Sequence, residues 1–137
     1  MRSTFLDTSA LFAMASRGET SYLQSRDAFE GLTRAGSMFV TTELVLGELH
    51  ALALSRVGPE HAAGLIELLG ASARILTVPA EAALREQGLS LLRARPGRRY
   101  SLTDATSFVV MREMGIDTAF TLDADFAAEG FTVLPAA

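Results

Sequence analysis

Short apolar runs alternate along this chain with longer stretches of helical periodicity, and the alternation predicts its elements. RSTFL at 2–6 reads as a strand, and a helix follows from about Ser9. A second helix is expected from about Thr20 to Ala35, then a strand at MFVTT, 38–42. Helices are expected over 43–56 and 60–72, the second opening near Pro59, a residue suited to a first helical turn. RILTV, 74–78, is a third strand and 80–94 a further helix, closed by the Pro-Gly loop RPGRRY at 95–100. A helix over 102–114 stops at Gly115, and DTAFTL, 117–122, and FTVLP, 131–135, are the last two strands. Apolar strands interleaved with helices predict an α/β fold: a central, mostly parallel sheet of about five short strands flanked by helices. With no internal repeat, low-complexity tract or long linker, residues 1–137 are expected to form a single domain. In such sheets ligands bind beyond the carboxyl ends of the strands.

Acidic residues stand at those ends. Asp7 follows FL and precedes TSALFAMA, where a strand gives way to a helix; it is either an N-cap or a ligand in the crevice. Asp123 holds the same position after AFTL, and Asp125 lies two residues on; each is a turn residue or a ligand. Asp104 has the capping-box spacing with Ser101, yet on a helix it shares a side with Phe108 and Met111. Glu48 has Leu44, Val45 and Leu52 at i−4, i−3 and i+4, so it is either a buried functional acid or a helix-edge residue whose stem reaches water. Glu43, in the first helical turn and on another side, reads as structural. Clustered carboxylates repel one another, and a divalent hard cation relieves the repulsion. Oxygen-only ligands suit Mg²⁺ or Mn²⁺.

Composition narrows the chemistry. The chain has no cysteine, which excludes zinc–thiolate sites, disulfides and thiol nucleophiles. All twelve basic residues are arginine, so lysine-dependent phosphate loops and Schiff bases are excluded too. His50 and His61 are isolated. A net charge of −4 argues against broad electrostatic binding of nucleic acid, but bound divalent cations would reverse the sign where a substrate sits. Arg93, Arg95, Arg98 and Arg99 lie just before the Asp104 helix, where guanidinium groups match phosphate geometry, and Tyr100 is placed to stack on a base. Asp7 interrupts the first apolar stretch, which argues against a signal peptide. No apolar run approaches the ~20 residues that span a bilayer, so no membrane association and a cytoplasmic location are expected.

The segments FLDTSALFA, FVTTELVLGELHAL, YSLTDATSFVVMREMGI and AFTLDADFAAEGFTVLP resemble, in matching order over nearly the whole chain, the PIN-domain ribonucleases, in particular the VapC-type toxins of bacterial toxin–antitoxin pairs. The resemblance implies a metal-dependent endoribonuclease that hydrolyses RNA phosphodiester bonds. It carries the family's acids onto Asp7, Glu48, Asp104 and Asp123, with Asp125 as an auxiliary ligand, and its hydroxyl residue onto Thr8 or Ser9, with Ser9 preferred. It also implies an RNA substrate, a cognate VapB-like antitoxin and a homodimer. The arginine loop is no part of the family pattern.

Rival readings meet specific obstacles. A receiver domain needs a lysine, which is absent. A haloacid-dehalogenase-like phosphatase needs D-x-D-x-T after its first strand, and the DAD at 123–125 comes too near the C-terminus. A metal-dependent deoxyribonuclease shares the same acids, and only the resemblance favours RNA. A catalytically inert RNA- or partner-binding module has no reason to keep a repulsive acidic set.

Overall fold

A computed structural model describes residues 2–136. Its elements run β1 (Ser3–Leu6), α1 (Thr8–Ala15), α2 (Tyr22–Arg34), β2 (Met38–Thr42), α3 (Glu43–Arg56), α4 (Pro59–Ala71), β3 (Ile75–Val78), α5 (Ala82–Arg93), α6 (Leu102–Met114), β4 (Thr118–Phe120), α7 (Ala124–Ala128) and β5 (Thr132–Leu134). The strands form one sheet in the order β3-β2-β1-β4-β5, and every pairing is parallel. The expectation of a mostly parallel sheet is therefore met with no antiparallel pair among the described residues.

Local chemistry explains the boundaries. Thr42 caps α3 by accepting the Val45 N–H at 3.1 Å. Ser101 and Asp104 form the reciprocal capping box expected of α6, and Gly115 ends that helix at φ 66°, a left-handed conformation that suits glycine. Two differences from the expectations bear on the site. β4 is shorter than 117–122, because the chain leaves the sheet after Phe120. The residues that follow turn into the short helix α7, with Asp123 as its N-cap.

The sheet order fixes where a site can form. From β1 the chain steps outward through β2 to β3, then crosses back to β4 on the other side of β1 and on to β5. Right-handed crossovers put the helices of the two halves on opposite faces of the sheet. Side-chain alternation agrees with this. In the registers Thr4↔Phe39 and Leu6↔Phe120, Phe39 and Phe120 share a face, and both pack on Phe29 of α2 with centroids at 4.8 and 5.6 Å. Phe5 points the other way, toward Phe126 of α7 at 6.3 Å, and Phe126 meets Phe108 of α6 edge-on at 4.8 Å. The buried rings Phe5, Phe39, Phe108, Phe120 and Phe126 each contribute about 2–3 kcal/mol of burial. Strand order reverses between β1 and β4, so the crevice beyond their carboxyl ends is where such a sheet offers a ligand site.

Candidate active site

Asp7 lies one step beyond β1 in extended backbone, φ −104° and ψ 156°. Its N–H donates to the Phe120 carbonyl at 3.0 Å, continuing the β1–β4 ladder by one rung. Alternation therefore turns its side chain to the Phe5 face, next to Thr121 of the neighbouring strand end. It holds the N-cap position of α1 but makes no capping hydrogen bond. Its Oδ2 instead accepts from Thr121 Oγ1 at 2.7 Å and Ser9 Oγ at 3.1 Å. The residue is buried. Burial pushes its carboxyl up to about 6, against the hydrogen bonds from Thr121, the Thr8 backbone and Ser9, and the Asp104 charge adds to the rise.

Among the described residues, Asp104, Asp123 and Asp125 form the one group of three acids close enough together to share an ion. One carboxylate oxygen from each lies within 4.8 Å of the others. All three side chains are half-buried, and those of Asp104 and Asp123 are held by their own helix ends. Asp104 Oδ2 accepts from the Ser101 N–H at 3.0 Å, and Asp123 Oδ1 accepts from the Asp125 N–H at 2.9 Å. Both acids are thus caps, and among the described residues their second oxygens accept no hydrogen bond. The dull reading and the functional one are both satisfied, by different atoms of one carboxylate. Desolvation, then the Asp123 charge and more weakly the Glu48 charge, raises the Asp104 carboxyl. Desolvation and Asp123 raise that of Asp125. Oxygen donors with no thiol or imidazole, free lone pairs and mutual repulsion together fit a hard divalent cation.

Glu48 takes the helix-edge one of its two expected settings. It is exposed, because the buried line of α3 is Val45, Leu49 and Ala53, and Glu48 stands beside that line. It still reaches the crevice: Thr8 Oγ1 donates to its Oε1 at 3.4 Å, and its charge acts on Asp104. Asp7 and Glu48 flank the tight trio but do not belong to it. Glu43 points elsewhere, accepting the Ala80 N–H at 2.7 Å. The hydroxyl residues divide as well, Thr8 serving Glu48 and Ser9 serving Asp7.

The arginine loop splits in two. Arg95 faces Glu129, donating through Nε at 3.0 Å and Nη2 at 3.3 Å, so it is not free for RNA as expected of the whole run. Arg93, Arg98 and Arg99 are exposed, and the positive charge of Arg98 opposes the rise at Asp125. Tyr100 does not offer a stacking face. Its ring is buried edge-on against Phe108 at 5.1 Å, and its hydroxyl donates to Glu129 Oε2 at 2.8 Å.

Thr121 is the site residue that sequence reasoning missed. Besides holding Asp7, its Oγ1 accepts the Asp123 N–H at 2.9 Å, so one hydroxyl ties the two strand-end acids together. Ser9 strengthens the same junction by accepting the Leu122 N–H at 2.8 Å. The available signal was a hydroxyl residue directly after a strand and two before an acid, the same arrangement that Ser9 makes in mirror order with Asp7.

Known proteins share this fold. Residues 4–131 match the PIN domain family. The chain is 34% identical over 128 residues to the 23S rRNA-specific endonuclease VapC20 of Mycobacterium tuberculosis strains CDC 1551 / Oshkosh and ATCC 25618 / H37Rv, covering 93% of this chain and 94% of that protein. It superposes on the crystal structure of Mycobacterium tuberculosis VapC20, a sarcin–ricin loop cleaving toxin, with a TM-score of 0.86 and 31% identity over 94% of this chain and 96% of that one. VapBC2 from Rickettsia felis, solved with a DNA fragment from its promoter, shares the fold at a TM-score of 0.67 and 14% identity, covering 96% of each chain. The family match and the VapC20 likeness span nearly all of the sequence, and the chain belongs to the PIN domain family.

Proposed function

We propose that this protein is a metal-dependent endoribonuclease that hydrolyses RNA phosphodiester bonds and acts as the toxin of a toxin–antitoxin pair. The observation that carries the reading is the meeting of Asp104, Asp123 and Asp125 within 4.8 Å, beside buried Asp7, at the point where strand order reverses. Asp7, Glu48, Asp104 and Asp123, with Asp125, would hold Mg²⁺ or Mn²⁺. Such a cation supplies a lowered water pKa and polarised phosphoryl oxygens. Thr121 and Ser9 keep the Asp7 carboxylate oriented, and Thr8 steadies Glu48. The water oxygen bonds to phosphorus in line as the P–O3′ bond breaks, leaving a 5′-phosphate and a 3′-hydroxyl. No side chain serves as the nucleophile. Arg93, Arg98 and Arg99 are the residues for flanking phosphates.

The likeness to a 23S rRNA-specific enzyme favours a structured ribosomal loop as the substrate class, and with it a cytoplasmic site of action. A cognate antitoxin fits the same crevice: an arginine inserted between these carboxylates would satisfy them without catalysis. A homodimer belongs to the same reading, and light scattering on the purified chain tests it.

The deciding experiment incubates the protein with labelled ribosomal RNA fragments, and with single-stranded DNA, in Mg²⁺, Mn²⁺ or EDTA. RNA cut only in the presence of metal is the expected result. Cleavage indifferent to EDTA rejects the metal mechanism, preferential cutting of DNA makes it a deoxyribonuclease, and binding without cleavage in every metal leaves an inert module.

A further inference from the structure

Glu129 is a buried carboxylate that the proposed mechanism does not use. Its side chain is 5% exposed and receives hydrogen bonds from three residues. Arg95 of the arginine loop grips both oxygens, Tyr100 donates at 2.8 Å, and Arg112 in the last turn of α6 donates at 2.9 Å. Arg112 also bonds the Glu129 carbonyl at 3.0 Å and lies over the Phe131 ring. Burial alone would push this carboxyl up, but the bonds from Arg95, Arg112 and Tyr100 hold it at about 2.

The location of this node matters more than its strength. Glu129 is the C-cap of α7, whose other end carries Asp123 and Asp125. At five residues α7 is far too short to persist alone. Phe126 anchors it in the core and Glu129 holds its C-terminal end, opposite the Thr121 bond to the Asp123 N–H. Arg112 extends the tie to α6, whose first turn carries Asp104, and Arg95 extends it to the loop that carries Arg98.

We propose that Glu129 is a positioning residue that, through Arg95, Arg112 and Tyr100, sets α7 against α6 and the 95–100 loop, so that Asp123 and Asp125 meet Asp104 and Arg98 stays beside them. The inference rests on the nuclease reading and names what holds that site in register. A bridge that merely stabilised the fold would leave cation affinity alone once the protein is folded.

The test is calorimetric titration of the full chain with Mn²⁺ alone, well below the melting temperature, alongside cleavage kinetics. Glu129→Gln is expected to weaken Mn²⁺ binding about tenfold, as loss of an outer support typically does. Tyr100→Phe, which removes one hydroxyl and keeps the ring, should weaken it less. Arg95→Lys keeps the charge but loses the two-pronged grip, and should raise KM for RNA more than it lowers kcat. If Glu129→Gln does not fold, the other two variants decide. Folded variants with wild-type Mn²⁺ affinity and KM, whatever their melting temperatures, overturn the inference while a cleaving wild type keeps the nuclease reading. A wild type that neither binds Mn²⁺ nor cuts RNA removes both.

Discussion

Asp7 carries the sharpest conflict between stability and chemistry in the molecule. Its carboxyl titrates at about 6 when folded and at 3.8 when unperturbed. A raised folded value means that the neutral acid is tolerated and the charge is not. The contribution is fully favourable below the unperturbed value and is lost as pH rises through about 6, at a cost on the order of 2–3 kcal/mol. In EDTA, Asp7→Asn should therefore melt several degrees above wild type at about pH 7.5 and close to it at about pH 4. The same variant should be inactive. A lower melting temperature at both pH values would mean that the Thr121 and Ser9 bonds outweigh the buried charge. The glutamates give a second comparison. Glu48→Gln should abolish cleavage with little change in stability, since the side chain is exposed. Glu43→Gln should keep full cleavage and lose at most about 1 kcal/mol from its bond to the Ala80 N–H, read by denaturant melts.

At the scale of elements, what was legible and what was not have separate physical causes. β2, α3 and α6 could be read almost to the residue, because each pairs a strong periodicity with a local stop or start: Thr42 before α3, Ser101 before α6 and Gly115 after it. α7 was missed because five residues hold too little periodicity, with Phe126 its only large apolar residue. For Glu48 the sequence leaves burial and the helix edge both open. α3 is apolar on most sides, so the surrounding leucines did not reveal which line faces the core. The Glu129 node left no trace in local pattern, because its partners come from 17 to 34 residues away. Helix packing supplies a further prediction. A Cβ on Gly88 of α5 would sit 2.6 Å from Thr106 Cγ2 and 3.2 Å from Leu102 Cδ1. Thr106 cannot turn aside freely, since its hydroxyl is bonded to the Leu102 carbonyl at 2.9 Å. Gly88→Ala should thus cost about 1–2 kcal/mol despite alanine's better helix propensity, measured by urea unfolding. Because α6 carries Asp104, cleavage should fall with it.

For the whole molecule, a cation that binds only the native fold must raise its stability. At about 100 times its Kd, Mn²⁺ adds about 2.7 kcal/mol, a rise on the order of 5–10 °C for a chain of this size. Differential scanning calorimetry should show that rise in wild type and none when Asp123 and Asp125 are both changed to Asn. No rise in wild type at millimolar metal would count against a preformed site. The sheet order also has a bearing on biosynthesis. β1, made first, takes β4 as a neighbour, and β4 leads directly into the last two acids. A polypeptide still leaving the ribosome carries only a fragment of the acidic centre until β4 and α7 have been made. Release anywhere between Asp104 and Asp125 would leave that centre incomplete, so a truncated product lacks the full set of carboxylates.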